Sequence, residues 1–301
     1  MAKAVITTRN EHQKKVVQLF GKLTGRFNLW KLWGDFIQMA AIEISNSVDL
    51  GNKNARNEEY KRIALQYTPE DMDVFAQILS EIVMGMEEDP DQDFLGELFM
   101  GLNLGNDAGG QFFTPYNICR MMAKLNDIER VYEAIDKHGF ASVNDCACGA
   151  GATLIAFANE CRRNGINYQE SVLFVGQDID YITGLMCYIQ LSLLGCPGYV
   201  YIGDTLSDPC LSIDKRGLIP EKPEKVWLTP MYISHTWTMR KMWHVMGWKE
   251  PGKKQQVSAE VSKVSEPEPE PVLKVSDAAE PKKPKKKRKV ADTADVQLSL
   301  L

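Results

Sequence analysis

Apolar residues recur at helical spacing through the first third of the chain. Leu29, Trp30, Trp33, Phe36, Ile37, Ala40, Ala41 and Ile44 form one stripe, which predicts an amphipathic helix with an aromatic face in the core. Thr68-Pro69-Glu70-Asp71 has the chemistry of a helix start: a hydroxyl to cap the first N–H groups, and a proline where no N–H is needed. Met72, Phe75, Ile78, Leu79, Ile82, Val83 and Met86 follow as the buried face of that helix. The rhythm changes after Gly105. Asn106-Asp107-Ala108-Gly109-Gly110 is a loop signal, and Thr114-Pro115 opens a helix that runs to Leu125. Short apolar runs then alternate with helical stretches. Strands are predicted at 141–146, 172–176, 199–202 and 225–228, and helices at 152–163, 181–194 and 233–246. Alternating strands and helices predict an α/β fold, a mainly parallel Rossmann-like sheet with helical crossovers, here short of strands. The chain thus divides into an N-terminal helical region (1–105), a Rossmann-like domain (106–250) and a tail (251–301).

Composition changes the picture mainly in the tail. From Pro251 onward Lys, Glu, Pro, Ser and Val dominate, with a Glu-Pro repeat at 266–271 and a basic block at 282–289. Such a segment cannot bury enough apolar surface to fold alone, so it is expected to be disordered. It holds eleven Lys/Arg against eight Asp/Glu, so the net charge of −5 leaves an acidic body. An acidic body is a poor solitary binder of nucleic acid, where phosphate contacts dominate affinity. No run is long and apolar enough to span a membrane, and 1–13 lacks the apolar core of a signal peptide, so a cytoplasmic protein is expected. The seven cysteines include no Cys-x-x-Cys pair; Cys146 and Cys148 read as small residues in a tight turn, and no metal site is expected.

Candidate chemistry lies at the strand ends. Asn144-Asp145-Cys146-Ala147-Cys148-Gly149-Ala150-Gly151 falls where the first strand ends and a helix begins, so backbone can approach a ligand closely and free N–H groups face it. Asp178 closes the second strand and can bind both hydroxyls of a ribose. Asp204, in Gly203-Asp204-Thr205-Leu206, closes the third and can accept from an adenine amino group. Solvated loop carboxylates are the alternative, but three acidic residues at three successive strand ends fit a nucleotide-like ligand better.

In their order, Gly110-Gln111-Phe112-Phe113-Thr114-Pro115, the Asp145–Gly151 turn, Gly176-Gln177-Asp178-Ile179-Asp180 and Gly203-Asp204-Thr205-Leu206 resemble the motifs of N6-adenine DNA methylases, such as the modification subunits of type I restriction systems. The resemblance implies S-adenosylmethionine as cofactor and DNA as substrate. It gives Gln111, Phe112, Phe113, Thr114, Pro115, Asp145, Gly149, Ala150 and Gly151 the methionine part of the cofactor, Asp178 the ribose and Asp204 the cofactor adenine. The family usually has proline where this chain has Cys146.

The resemblance also implies a catalytic Asn/Asp-Pro-Pro-Tyr/Phe motif after the fourth strand, whose carbonyls accept hydrogen bonds from the amino group of a flipped adenine while the ring stacks on it. Here that place holds Thr229-Pro230-Met231-Tyr232. Thr229, Pro230 and Tyr232 are the catalytic candidates, with Asp208-Pro209 as a weaker one. Little sequence remains for later strands, so the fourth would be a sheet edge covered by a specificity or partner subunit, or by 233–248. Two readings compete: an adenine-N6 DNA methyltransferase, active alone or with a partner, and an inactive accessory protein that binds the cofactor or associates with DNA.

Two tail motifs stand apart. Pro284–Val290 matches a viral basic nuclear-import signal, which would place the protein in a nucleus; a Lys-rich arm contacting DNA is the preferred reading, because methylases of this kind belong to bacteria and phages. Gln297-Leu298-Ser299-Leu300-Leu301 resembles the peptide that docks bacterial proteins on the sliding clamp, with Gln297, Leu298, Leu300 and Leu301 as its anchors; a chance match is the alternative.

Overall fold

The computed structural model describes residues 10–104, 113–248 and the pair Leu298–Ser299. The N-terminal layer is α1 (Glu11–Leu23), α2 (Leu29–Asn46), α3 (Lys53–Ala64), α4 (Pro69–Glu88) and α5 (Phe94–Gly101). Local chemistry sets the helix starts. Asn10 and Asn28 cap α1 and α2, and Thr68 and Asp71 bond reciprocally across the first turn of α4 around Pro69. Trp33, Phe36, Ile37, Ala40 and Ala41 are buried as the stripe on α2 predicts. Trp30 is 57% exposed; it lies about 60° around the helix from Trp33, at the margin of the stripe. Val83 on α4 is exposed in the same way.

The second layer contains α6 (Tyr116–Leu125), α7 (Ile128–His138), β1 (Ala141–Asp145), α8 (Ala152–Arg163), α9 (Tyr168–Ser171), β2 (Val172–Asp178), α10 (Tyr181–Leu193), β3 (Gly198–Ile202), β4 (Val226–Leu228), α11 (His235–Val245) and β5 (Leu298–Ser299). The sheet order is β4-β3-β2-β1-β5. β1, β2 and β3 run parallel, with Asp145 level with Gly176 and Asp178 level with Ile202, so their C-terminal ends form one rim.

One hydrophobic core joins both layers. Phe36, Ile37 and Phe99 from the N-terminal helices share it with Val143, Phe174, Val200 and Trp227 from one face of the sheet. Alternate strand residues face the other way, where Leu173, Val175, Tyr199 and Tyr201 meet Phe140 and Trp237.

β4 departs from expectation: it runs antiparallel to β3, with Leu228 opposite Tyr199 and Val226 opposite Tyr201. The reason lies in the connection. Residues 203–222 form an irregular loop with one bridge, Ser212 to Pro220, and no crossover helix. A parallel return usually packs a helix across a sheet face; without one, this chain turns back on itself. The outer side of β4 is covered from within. Arg56 of α3 donates to the Val226 carbonyl (2.9 Å) and lies 3.9 Å over the Trp227 ring, held in place by Asp49 (2.7 Å) and Ser45.

At the opposite edge Leu298 and Ser299 pair in parallel with Val143 and Asn144. The proposed clamp-docking peptide therefore contributes backbone to this sheet; Gln297, Leu300 and Leu301 lie outside the described residues, as does the rest of the tail. Among the described residues no helix is long and apolar enough to cross a membrane.

Candidate functional site

The Gly-rich turn after β1 is tied down atom by atom. Asp145 is buried; it accepts from the Ala147 N–H (3.1 Å) and from the Thr153 hydroxyl on α8. Burial holds its carboxyl above the usual carboxylate range, so Asp145 shapes the turn from inside rather than reaching outward. The Cys148 N–H donates to the Gln177 carbonyl (2.9 Å), and the Gly151 N–H to the Cys148 carbonyl (2.7 Å). Gly151 sits at φ +96°, and a Cβ there would lie 2.8 Å from the Cys187 sulfur on α10. Only glycine fits that close crossing.

The turn delivers the start of α8 to the rim. The first hydrogen bond of the helix runs from the Ile155 N–H to the Gly151 carbonyl, so Ala152, Thr153 and Leu154 present N–H groups without intrahelical acceptors. Such a terminus favours a carboxylate or phosphate.

Asp178, at the end of β2, is half-buried and meets this turn. Its Oδ2 accepts from the Gly149 N–H (2.8 Å), and its Oδ1 from the Asp180 N–H (2.9 Å) and the Thr183 hydroxyl (3.2 Å). Asp180 caps α10. Asp204, just past β3, accepts from the Leu206 N–H (2.9 Å) and the Ser207 hydroxyl (3.0 Å), bonds that pull its pKa down and keep it charged. The Thr205 hydroxyl donates to the Cys146 carbonyl, fastening the loop after β3 onto the Gly-rich turn.

The structure thus brings Asp145, Gly149, Ala150, Gly151 and Asp178 together, with Asp204 at the neighbouring strand end. Phe113 joins them: a Cβ on Gly149 would lie 3.3 Å from its ring, which stacks on Phe99 at 5.4 Å. Thr114 and Pro115 are exposed at the start of α6, and Gln111 and Phe112 lie outside the described residues.

Three residues at this rim escaped the sequence reading. Ile179 and Leu206 are 71% and 94% exposed beside the two strand-end carboxylates, an apolar pair where a planar ring could be held. Their signal was a large aliphatic residue directly following, or two after, a strand-end aspartate. Gln177 is buried and bonds the Gly203 carbonyl (3.0 Å), the Asp208 carbonyl (2.9 Å) and the Cys210 N–H (2.8 Å), so it shapes the loop that carries Asp204. Its role depends on a partner loop 26 and more residues away, so no local signal exists.

The catalytic candidates are not part of this site. Thr229 follows β4 and pairs with Gly198, the first residue of β3: its hydroxyl donates to the Cys196 carbonyl (2.7 Å) and accepts from the Gly198 N–H (3.0 Å). Gly198 and Ile202 stand at opposite ends of β3, about 13 Å apart along the strand. Thr229 is fully buried, and its one hydroxyl proton is committed to the Cys196 carbonyl. Tyr232 is buried too, with its hydroxyl on the Leu218 carbonyl (2.6 Å), and Pro230 opens the 3-10 turn between them. The antiparallel direction of β4 carries the candidates Thr229, Pro230 and Tyr232 to the rim opposite the Asp145–Asp178 turn. Asp208, the weaker candidate, lies in the loop after β3 but is bound by Lys222, Lys225 (2.7 Å) and the Tyr201 hydroxyl (2.8 Å), which hold its carboxyl well below the usual range.

All seven cysteines are free thiols. Among the described residues no group of three or more His, Cys, Asp or Glu side chains is placed to hold a metal ion.

A glycine-tight turn, a helix N-terminus and acidic strand ends on one rim define an α/β protein built for a nucleotide-like ligand. The chain belongs to the N-6 DNA methylase family, whose model matches residues 94–263. It is similar to two type I restriction enzyme methylase subunits of Methanocaldococcus jannaschii. MjaIX is 26% identical over 133 residues, 43% of this chain and 22% of that protein; MjaVII is 30% identical over 103 residues, 33% and 16%. The matched segments span about a fifth of the length of these curated relatives. Among solved structures, a Listeria monocytogenes chain assigned to the class I S-adenosylmethionine-dependent methyltransferases shares 18% identity at a TM-score of 0.37, over 67% of this chain and 56% of that one. The methyltransferase subunit of a Streptococcus thermophilus type I restriction-modification system shares 18% at 0.34, over 66% and 45%.

Proposed function

We propose that this protein binds S-adenosylmethionine at the C-terminal rim of β1, β2 and β3, and is the cofactor-holding part of a DNA methyltransferase specific for adenine N6. The carrying observation is the joint between Asp178 and Gly149, which brings a strand-end carboxylate and a helix N-terminus to one rim. The residues present fit such a cofactor. The first-turn N–H groups of α8 suit its carboxylate, Asp178 suits the ribose hydroxyls, and Asp204 suits the adenine amino group, with Ile179 and Leu206 flanking the ring. When bound, the cofactor would supply an electrophilic methyl group. The protein would orient it.

Methyl transfer to DNA then needs acceptor groups for the adenine amino group, and Thr229 and Tyr232 are buried at the other rim. The reading is therefore a partner-dependent methyltransferase, in which a second subunit supplies the target base and its catalytic contacts in the cytoplasm of a bacterial or phage-infected cell. The acidic body supports a partner for DNA as well. The burial of Thr229 equally favours a second reading, an accessory protein that binds the cofactor and transfers nothing.

Transfer of tritium from methyl-labelled S-adenosylmethionine to DNA separates the two. The chain alone is expected to retain label non-covalently and leave DNA unlabelled, while lysate of the native host restores labelling that requires this chain. Failure of wild type to bind S-adenosylhomocysteine in a calorimetric titration, with no difference from Asp178→Ala, would overturn both.

A further inference from the structure

Gln190 is a polar side chain in the last turn of α10, fully buried, among residues that otherwise make core. A buried carboxamide is costly unless its donors and its acceptor are satisfied. Here they are. Its Nε2 donates to the Asp93 Oδ1 (2.8 Å) and to the Ala150 carbonyl (2.8 Å), and its Oε1 accepts from the Leu95 N–H (3.0 Å). Asp93 is also buried and caps α5 through the Gly96 N–H (3.0 Å).

The three partners lie in two separate parts of the fold, both apart from α10. Asp93 and Leu95 begin α5, the helix that leads into the Gln111–Pro115 segment. Ala150 lies in the Gly-rich turn. Gln190 stands on α10, next to neither in sequence. The peptide between Ala150 and Gly151 is consequently held at both ends: its carbonyl by Gln190, and its N–H by the Cys148 carbonyl (2.7 Å). That peptide immediately precedes the first-turn N–H groups of α8, so its tilt sets where they point.

We propose that Gln190 is a positioning residue for the cofactor site: with Asp93 it fixes α5 and the Gly-rich turn in one register, so that both walls of the site are preformed before a ligand arrives. The proposal rests on the reading that this turn holds S-adenosylmethionine. The role is geometric, because Gln190 is buried behind the turn and acts through the Ala150 carbonyl.

The test uses the full chain and two readouts. Gln190→Met keeps the length of the side chain and removes all three hydrogen bonds. Gln190→Asn is one methylene shorter and can reach Asp93 or Ala150 but not both. Arg56→Ala weakens the fold at the β4 edge, away from the turn, and controls for lost stability. The first readout is calorimetric titration with S-adenosylhomocysteine. At least a tenfold loss is expected for Gln190→Met, an intermediate loss for Gln190→Asn, and a change below threefold for Arg56→Ala. The second is hydrogen exchange without ligand. Residues 147–154 should exchange faster in both Gln190 variants, while β2 keeps its protection. If Gln190→Met does not fold, Gln190→Asn alone decides. Wild-type affinity and unchanged exchange of the turn would overturn the proposal, as would an equal loss of affinity in Arg56→Ala. Faster exchange of the turn in a protein whose wild type binds no S-adenosylhomocysteine would instead sink the cofactor reading and leave the register device standing.

Discussion

Asp93 accepts hydrogen bonds from Gln190 and from the Gly96 N–H, yet burial, helped by Glu97, pushes its pKa up to about 6. The groups around it are those two donors, Glu97 on the same helix and the Cys119 thiol of α6, whose own pKa Asp93 raises. A carboxyl raised in the folded state is protonated there while the unfolded chain has already ionised. Its ionisation therefore costs stability as pH rises from about 4 to about 6, and the cost is constant above. Asp93→Asn cannot ionise and still offers Gln190 an acceptor. The stability of this variant relative to wild type should move in its favour by about 2 kcal/mol between pH 4 and pH 7. Urea denaturation at both pH values measures it. An identical difference at the two would show that Asp93 does not titrate in this range.

At the scale of elements, the direction of β4 fixes where Thr229 lies. Its three residues look, in sequence, like the strand that precedes a catalytic motif, and they form a strand as predicted. The direction is what differs, and it turns Thr229 from a candidate hydrogen-bond acceptor for adenine into a clip between the ends of β3 and β4. Substituting the residue that the family motif carries, Thr229→Asn, should therefore leave methyl transfer unchanged. It should destabilise the fold by about 1–3 kcal/mol, since a larger side chain replaces a buried hydroxyl with both bonds made. Labelling of DNA and a denaturation curve check the two halves, and a gain in transfer would show that Thr229 does reach the substrate.

The whole molecule is organised by a core that ignores the expected division at residue 105. Trp33 of α2 packs on Phe99 of α5 at 6.1 Å, Phe99 stacks on Phe113 beside the Gly-rich turn, and α2 lies against α10. Arg56 reaches from the helical layer to the backbone of β4, 170 residues on. A chain trimmed to start at residue 106 would expose the sheet face that these helices cover, including Val143, Phe174 and Val200. Each such Val, Leu, Ile or Phe side chain left in water costs about 1.5–3 kcal/mol. Such a fragment should lack near-ultraviolet circular dichroism and bind a hydrophobic dye, whereas a cooperative unfolding transition would show that residues 106–248 fold alone.

Much of this protein was legible one residue at a time, because its rules are local. Helical spacing located the buried faces of α2 and α4, Thr68-Pro69-Glu70-Asp71 marked a helix start, and alternation of apolar runs with helical stretches announced parallel strands with acidic ends. Ordered motifs then pointed to the N-6 DNA methylases, the family that the chain belongs to. What local rules could not decide was direction and partnership. A strand reads the same whichever way it runs, so the fate of Thr229 depended on a connection without a crossover helix. Nor does the sequence around Gln190 or Arg56 say where each donates its hydrogen bonds, since Ala150 and Val226 are 40 and 170 residues away. Periodicity and motif spacing are properties of neighbours along the chain. Which rim a residue occupies, and which carbonyl a buried donor finds, arise only when distant segments pack, and that is where this protein separates the Asp145–Asp178 rim from Thr229 at the opposite end of the sheet.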